Sequence, residues 1–198
     1  SVLDPSYSDT TTFGFCVDIG NGVTTLLPTL LWAAGMTWPI LPARLMGPIS
    51  GMRVADLCAA PGGKTAQLAL AGARVTALDL SENRLRRLTA NLSRLRLEAE
   101  TVATDLRAHD PAEPYDAVLL DAPCSSTGTV RRHPDVPWTK TPADIEKLAA
   151  LQAGLLAHAV RLVRPGGTVV FSNCSLDHAE GERMIAAFLD GHEGVAID

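Results

Sequence analysis

The fold of this chain is set by the stretch Asp56-Leu57-Cys58-Ala59-Ala60-Pro61-Gly62-Gly63-Lys64-Thr65. It follows the short apolar run Arg53–Ala55 and leads into a helix-like run that ends at Leu70, which indicates a strand, a glycine turn and a helix. Gly62 and Gly63 lack side chains where the backbone turns, so a ligand can approach closely. The free N–H groups at the start of the helix would point at that ligand. The alternative is a tight connection that binds nothing.

The spacing of these glycines matches neither GxGxxG nor GxxxxGK[ST]. It therefore argues against the usual dinucleotide fingerprint and against a P-loop. A turn of this kind still suits a nucleotide-like cofactor, which open α/β sheets hold at the carboxyl ends of their parallel strands.

The composition is that of a globular domain. The chain has 198 residues, which suits one domain, and a hydrophobic fraction of 46%, which leaves room for a full core. A formal net charge of −5 excludes a globally basic nucleic-acid binder. The charge is uneven, since residues 51–174 carry 15 basic and 13 acidic side chains, whereas residues 175–198 carry one arginine and six acids. Any RNA contact must therefore use local arginine clusters.

The four cysteines, Cys16, Cys58, Cys124 and Cys174, are far apart and form no CxxC pair. This spacing argues against a zinc site and against a disulfide scaffold. Free thiols indicate a reducing, cytoplasmic setting, and the polar, acidic first residues do not resemble a signal peptide. The stretch Ile19 to Ala43 carries no charge, but prolines interrupt it, so we expect one or two helices packed on the domain there rather than a membrane span.

From residue 51 onwards, apolar runs alternate regularly with helix-like runs. This alternation predicts a Rossmann-like α/β domain at residues 41–198, with a mainly parallel sheet and helices on both faces, after an atypical segment at residues 1–40. The predicted strands are Met52–Leu57, Arg74–Leu80, Thr101–Thr104, Tyr115–Leu120 and Thr168–Ser172. The predicted helices are Lys64–Ala71, Glu82–Leu95, Thr141–Val163 and Ala179–Leu189.

Acidic residues stand at the carboxyl ends of three of these strands. Asp79 ends the second strand and can accept hydrogen bonds from ribose hydroxyls, and Asp105 can meet an adenine amino group. Each acid taken alone can equally cap a loop or face solvent. Right-handed crossovers, however, place these acids together with Asp121, Gly62 and Cys174 on one edge of the sheet. The group as a whole predicts an adenosine-type cofactor.

Two cysteines, Cys124 and Cys174, follow central strands beside the predicted cofactor site. A lone cysteine is more often a small buried hydrophobic residue, which is our expectation for Cys16 and Cys58. A thiolate beside such a cofactor suits methylation of cytosine, because its addition to carbon 6 makes carbon 5 a nucleophile for a methyl sulfonium. A base then removes the carbon 5 proton and the thiolate is expelled. A second thiol can assist this release, and an acid such as Asp121 can protonate ring N3.

Five blocks occur in order between residues 41 and 185: DLCAAPGGKT, DLSENR, the segment around Asp105, DAPCSSTGTVRRHPDV and FSNCSLDHAEGE. Together they resemble the RsmB-like (Sun family) RNA cytosine-C5 methyltransferases. The resemblance implies a class I methyltransferase fold, S-adenosylmethionine as the cofactor, and methyl transfer to C5 of cytosine in RNA. It implies that Cys174 is the nucleophile and that Cys124 helps to release the product, whereas DNA cytosine methyltransferases attack from the Pro-Cys position.

The resemblance also implies which residues line the site. Lys64 would lie near both the cofactor and the target base. The implied cofactor contacts are Cys58, Ala59, Ala60, Pro61, Gly62, Gly63, Lys64, Asp79, Arg84, Asp105 and Asp121. The sequence departs from the family pattern at Asn173, where threonine commonly precedes the nucleophile, and in residues 1–40. We also expect the C-terminal strand hairpin to be incomplete, because Gly194–Asp198 can begin only one more strand, which would leave an exposed sheet edge.

The expected partner is RNA, with ribosomal RNA favoured, and we expect a monomer without membrane contact. The target base must leave any stack to reach a thiolate, which favours single-stranded or loop RNA. Candidate phosphate contacts are Arg131, Arg132 and His133, and Trp138 either stacks on a base or packs against the domain. Two alternatives stay open. One is a methyltransferase acting on transfer RNA or protein, although the paired cysteines count against protein. The other is a truncated, non-catalytic module that binds RNA or the cofactor.

Overall fold

The computed structural model describes residues 14–18, 41–192 and 194–197. The strands are β1 (Gly14–Asp18), β2 (Arg53–Leu57), β3 (Arg74–Asp79), β4 (Glu100–Ala103), β5 (Tyr115–Asp121), β6 (Val163–Ser172) and β7 (Ala196–Ile197). The helices are α1 (Leu41–Leu45), α2 (Gly63–Leu70), α3 (Glu82–Leu95), α4 (Val136–Thr139), α5 (Pro142–Leu162) and α6 (Glu182–Asp190).

The strands form one seven-stranded sheet in the order β4-β3-β2-β5-β6-β1-β7. The first five strands of this order are parallel, whereas β1 runs antiparallel to β6, and β7 runs antiparallel to β1. The predicted parallel sheet is therefore confirmed, with shifts of one residue at the ends of β2 to β5. Strand β6, however, begins at Val163, five residues before the predicted Thr168. Because the five strands are parallel, their carboxyl ends meet at one edge, as the sequence predicts.

Both faces of the central strands are buried, which explains their continuous apolar runs. In β5, Val118 and Leu120 contact the core formed with α5 and α6, whereas Ala117 and Leu119 contact a second core that includes Leu68 of α2. A third cluster joins α3 to the sheet through Leu88. The helices on both faces are thus held by side chains that alternate along each strand.

Helix α5 packs across the sheet and carries polar side chains towards the carboxyl edge of the sheet. Its start is fixed by Thr141 and Asp144, which cap each other reciprocally, with Pro142 in the first turn. Gln152, in the middle of the helix, is fully buried. The helix ends at Leu162, one residue before its predicted end at Val163.

The edge beside β6 differs from the prediction. The five-residue strand β1 was not predicted; it pairs with β6 from Gly14 opposite Ser172 to Asp18 opposite Thr168. After α6 the described residues contain a single two-residue strand, β7, in agreement with the expectation that Gly194–Asp198 begins only one strand. The helices expected between Ile19 and Ala43 fall mostly outside the described residues. Within the described ranges, no helix is long and apolar enough to cross a bilayer.

Candidate active site

The glycine turn between β2 and α2 has a backbone that only some residues tolerate. Cys58 has φ 63° and Gly62 has φ 99°, both in the left-handed region. A Cβ atom at Gly62 would lie 2.8 Å from Cγ of Leu88, so the position has room only for glycine. A Cβ atom at Gly63 would meet no atom of the described residues within 4 Å. The turn is therefore tightly packed on one side and open on the other, as a site for a closely approaching ligand requires.

Lys64 and Asp121, two predicted site residues, form an ion pair at this edge. The distance from Lys64 Nζ to Asp121 Oδ2 is 2.6 Å, and the Lys64 side chain is only 13% exposed. The other carboxylate oxygen of Asp121 accepts a hydrogen bond from Ser172 Oγ at 2.9 Å. The pair thus joins the glycine turn to the ends of β5 and β6, a contact that the sequence did not reveal.

A buried carboxyl group, Asp56, lies at the base of the turn and was not predicted as a site residue. Its Oδ2 accepts a hydrogen bond from Thr65 Oγ1 at 2.6 Å, while its Oδ1 is buried without a partner among the described residues. Burial raises the pKa of Asp56 from 3.8 to about 7, with a smaller contribution from the charge of Asp121. The group is therefore poised to change its protonation close to neutral pH.

Asp79 is buried at the end of β3 and ties the turn to α3. Its carboxylate accepts hydrogen bonds from the backbone N–H groups of Ala60 at 3.3 Å and Ser81 at 3.0 Å. Arg84 pairs with the same carboxylate at 3.1 Å and donates to the carbonyl of Ala60 at 2.7 Å. Because the Arg84 side chain is 55% exposed, it is the partner that a ligand hydroxyl could most readily replace.

Asp105 lies at the same edge but is more exposed. Arg107 binds both of its oxygens, with Nε 3.1 Å from Oδ1 and a second guanidinium nitrogen 2.8 Å from Oδ2. These hydrogen bonds from Arg107 lower the pKa of Asp105 to about 2. The carboxylate is therefore ionised, and a ligand amino group would compete with Arg107 for it.

The two cysteines predicted to act together are in contact. Their sulfur atoms lie 3.3 Å apart, and the backbone N–H of Cys174 points at the sulfur of Cys124, also at 3.3 Å. The hydroxyl of Ser126, a residue with φ 61°, lies 3.4 Å from the sulfur of Cys174 and 4.0 Å from that of Cys124. The sequence predicted that both cysteines lie at one edge, and the structure places them within reach of one shared proton.

The surroundings make the two thiols unequal. The hydrogen bond from Cys124 lowers the pKa of Cys174 to about 7, helped by Ser126. The same hydrogen bond, followed by burial, raises the pKa of Cys124. Cys174 is therefore the better thiolate, whereas Cys124 keeps its proton. For Cys58, burial and then the charge of Asp79 raise the pKa to about 12, which makes this cysteine an inert thiol.

The residues predicted to contact RNA follow the Cys124 segment. Arg131, Arg132 and His133 are all exposed, and so is the short helix α4 that follows them, except for the buried Val136. Trp138 on this helix is 89% exposed, so it does not pack against the domain in this structure. This segment presents positive charge and an aromatic face directly after the cysteine site.

The sequence profile described as 16S rRNA methyltransferase RsmB/F matches residues 43–198 of this chain. The chain belongs to the RsmB/F family. The profile covers every residue of the glycine turn, both cysteine segments and the exposed basic segment. The resemblance inferred from the sequence blocks is thereby confirmed.

Individual members of the RsmB/F family are also similar to this chain in sequence. Over 153 residues, 75% of this chain, the sequence is 44% identical to ribosomal RNA small subunit methyltransferase B of Serratia proteamaculans and 43% identical to that of Yersinia pseudotuberculosis. The aligned part is 36% of each relative, so the chain spans about a third of the length of the curated relatives it matches.

Solved structures of related proteins share the fold. The structure of NSun6 from Pyrococcus horikoshii with SFG has a TM-score of 0.72 and 30% identity, over 83% of this chain and 46% of its own. A methyltransferase homolog protein from the same organism has a TM-score of 0.68 and 32% identity, over 84% of this chain and 57% of its own. The Rossmann-like methyltransferase fold of this chain is thereby confirmed.

Beneath the cysteines lies a buried polar network that sequence reasoning missed. Its members are hydrogen-bonded side chains from four different segments of the chain. They are Ser125, Gln152, Asn173, Ser175 and Glu180, all at most 1% exposed. The sequence signal was indirect: Ser125, Asn173 and Ser175 flank the cysteines, and Glu180 lies in the block FSNCSLDHAEGE, but nothing in the sequence marks Gln152.

Proposed function

We propose that this chain transfers a methyl group from S-adenosylmethionine to C5 of cytosine in RNA, with ribosomal RNA of the small subunit as the substrate. The observation that carries the proposal is the pair of sulfur atoms 3.3 Å apart at the ligand-binding edge of the sheet. The names of the relatives support the RNA class, and the lowered pKa of Cys174 supports covalent catalysis. We further propose that residues 41–198 form the catalytic domain, with residues 1–40 as an additional segment.

The residues around the glycine turn fit an adenosine-type cofactor. Open space above Gly63 leaves room for it, Asp79 can receive its ribose hydroxyls, and Asp105 its adenine amino group. The remaining contacts would come from Cys58 to Lys64, Arg84 and Asp121. When bound there, S-adenosylmethionine would supply a methyl group on a positively charged sulfur.

The two cysteines can then divide the reaction between them. The thiolate of Cys174 adds to carbon 6 of cytosine, while the Lys64–Asp121 pair delivers a proton towards ring N3, and carbon 5 takes the methyl group. Once Cys174 is bound to carbon, neither its hydrogen bond nor its charge raises the pKa of Cys124 any longer, so Cys124 releases its own proton to solvent. The Cys124 thiolate then accepts the carbon 5 proton, and the electron pair of that C–H bond re-forms the C5–C6 double bond and expels the Cys174 thiolate. Ring N3 returns its proton to the Lys64–Asp121 pair.

RNA would reach the site along the segment that contains Arg131, Arg132 and His133. Their exposed side chains can neutralise phosphates, and Trp138 offers a flat face on which a base beside the target can stack. The proposal includes a monomer that acts in a reducing compartment, because both thiols must stay free.

The test is methyl transfer from labelled S-adenosylmethionine to deproteinised small-subunit ribosomal RNA and, in a parallel reaction, to transfer RNA, each followed by digestion to nucleosides. We expect the label in 5-methylcytidine, no transfer by Cys174→Ala, and unchanged transfer by Cys16→Ala, which removes a cysteine that has no role in the proposal. Label in another nucleoside would refute cytosine C5 as the target, and label only in transfer RNA would refute the ribosomal substrate. Cofactor binding without any transfer would support a non-catalytic module instead.

A further inference from the structure

Glu180 is a fully buried carboxylate that the reaction described above does not use. Its Oε1 accepts hydrogen bonds from the backbone N–H of Ser125 at 2.9 Å and from Gln152 Nε2 at 2.8 Å. Its Oε2 accepts a short hydrogen bond from the hydroxyl of Ser125. Burying a carboxylate is costly unless hydrogen bonds satisfy it, so this arrangement indicates a task for the group.

Glu180 contacts the immediate neighbour of each cysteine. Its side chain holds Ser125, which follows Cys124, and its backbone carbonyl accepts a hydrogen bond from Asn173 Nδ2, next to Cys174, at 2.7 Å. The two cysteines are 50 positions apart in sequence, so their segments need such a link to stay in register.

Further hydrogen bonds close the link between the two segments. The hydroxyls of Ser125 and Ser175 lie 3.0 Å apart, and the N–H of Gly128 donates to the carbonyl of Cys174 at 2.9 Å. Gln152 binds the carbonyl of Pro123 at 2.9 Å from the other side. The four residues next to the two cysteines in sequence are therefore all fixed by this network: Pro123, Ser125, Asn173 and Ser175.

We infer that Glu180 is a positioning residue whose side chain holds the Cys124 segment against Cys174 and so sets the spacing of the two sulfur atoms. The inference rests on the proposed function for its catalytic consequence. The link is asymmetric, because the side chain of Glu180 binds the Cys124 segment whereas its backbone binds the Cys174 segment. A change of the side chain alone should therefore displace Cys124 and leave Cys174 largely in place.

The consequence for the reaction is specific. With Cys174 in place, the covalent bond to cytosine still forms, but removal of the carbon 5 proton by Cys124 slows. Since small misplacements of reacting groups can lower rates by about 100-fold, we expect Glu180→Gln to release product about 10- to 100-fold more slowly. The variant should accumulate the protein–RNA adduct, as Cys124→Ala should.

The experiment compares the full 198-residue chain with three variants. Glu180→Gln removes one acceptor oxygen, so that of the three hydrogen bonds Glu180 accepts only two can still be accepted. Ser125→Ala removes only the hydroxyl bound to Oε2. Glu182→Gln is the matched control, because this neighbouring glutamate is 48% exposed and pairs with His178 at the surface. Adducts on denaturing gels, turnover, and cofactor affinity are measured for each.

A second readout does not need RNA or methyl transfer. Diamide oxidises two neighbouring thiols to a disulfide while its N=N bond takes up both hydrogens, and the rate depends on how close the sulfurs are held. We expect Glu180→Gln to form the Cys124–Cys174 disulfide about tenfold more slowly than wild type, and Glu182→Gln to match wild type. Mass spectrometry of the linked peptides identifies the bond.

The outcomes separate the inference from the proposed function. If the wild type transfers no methyl group but Glu180→Gln forms the disulfide more slowly than wild type, the positioning role is supported and the proposed function is refuted. Normal transfer by wild type, with wild-type disulfide rate and no adduct in Glu180→Gln, would overturn the inference. If Glu180→Gln does not fold, the Ser125→Ala variant decides. Accumulation of the adduct in Ser125→Ala, with unchanged cofactor affinity, supports the positioning role. Wild-type behaviour of Ser125→Ala, or a parallel loss of adduct and turnover, overturns it.

Discussion

The buried carboxyl group of Asp56 should make the stability of this protein depend on pH in a way that one substitution abolishes. The pKa of Asp56 rises from 3.8 in the unfolded chain to about 7 in the fold. This is about three pKa units, each worth about 1.36 kcal/mol, so ionising Asp56 destabilises the fold by about 4 kcal/mol. Because the folded-state pKa is the higher one, the stabilising effect of the neutral acid is fully present below pH 3.8 and is lost as the pH rises to about 7.

Asp56→Asn keeps the shape and an acceptor for Thr65 but cannot ionise. The assay is urea unfolding of wild type and variant at about pH 5 and about pH 8, where the difference in free energy of unfolding should shift by about 2–4 kcal/mol in favour of the variant at the higher pH. The exposed Asp190→Asn serves as control and should run parallel to wild type. If the difference in free energy of unfolding between Asp56→Asn and wild type is the same at both pH values, the pKa of Asp56 is not raised in the fold.

Three further predictions concern the turn, the thiols and the RNA face. Gly62→Ala should destabilise the fold by about 2 kcal/mol because of the positive φ at this position and the contact with Leu88. At Gly63 a Cβ atom has open space, so Gly63→Ala should change stability by less than about 1 kcal/mol. The same variant should weaken binding of S-adenosylhomocysteine about tenfold, which calorimetry can check. Alkylation of Cys174 by iodoacetamide, followed by mass spectrometry, should reach half its maximal rate near pH 7, and a midpoint near 9.0 would contradict the lowered pKa. Trp138→Ala should leave the melting temperature unchanged but weaken RNA binding in filter assays by about 1–3 kcal/mol, and equal RNA affinity would exclude stacking.

The parallel sheet could be predicted because its signals are local. Each strand is a short apolar run, and a helix follows it directly. The turn after β2 requires glycine at position 62. The acids at the strand ends followed from topology alone, since parallel strands bring their carboxyl ends together. Strand β1 could not be predicted in the same way, because its five residues gain their place by pairing with Thr168–Ser172, more than a hundred positions away.

The chemistry of the site was predictable only in part. Cys124 and Cys174 stood out by their sequence surroundings, but their contact and unequal pKa values arise from distances that no spacing encodes. The same holds for Glu180, whose partners come from three other segments. Conversely, Asp79 and Asp105 were expected to face a ligand, and the structure shows arginines already bound to both. Tertiary contacts thus decide which predicted residues are free to act.

The assignment of Cys174 as the nucleophile is tested most sharply by finding which cysteine becomes bound to the cytosine. Cys124→Ala and Cys174→Ala are each incubated with S-adenosylmethionine and small-subunit ribosomal RNA, and the protein is digested under denaturing conditions for mass spectrometry. We expect a methylated cytidine on the peptide that contains Cys174 in the Cys124→Ala variant, and no adduct in Cys174→Ala. An adduct on Cys124 in the Cys174→Ala variant would contradict the assignment of the nucleophile.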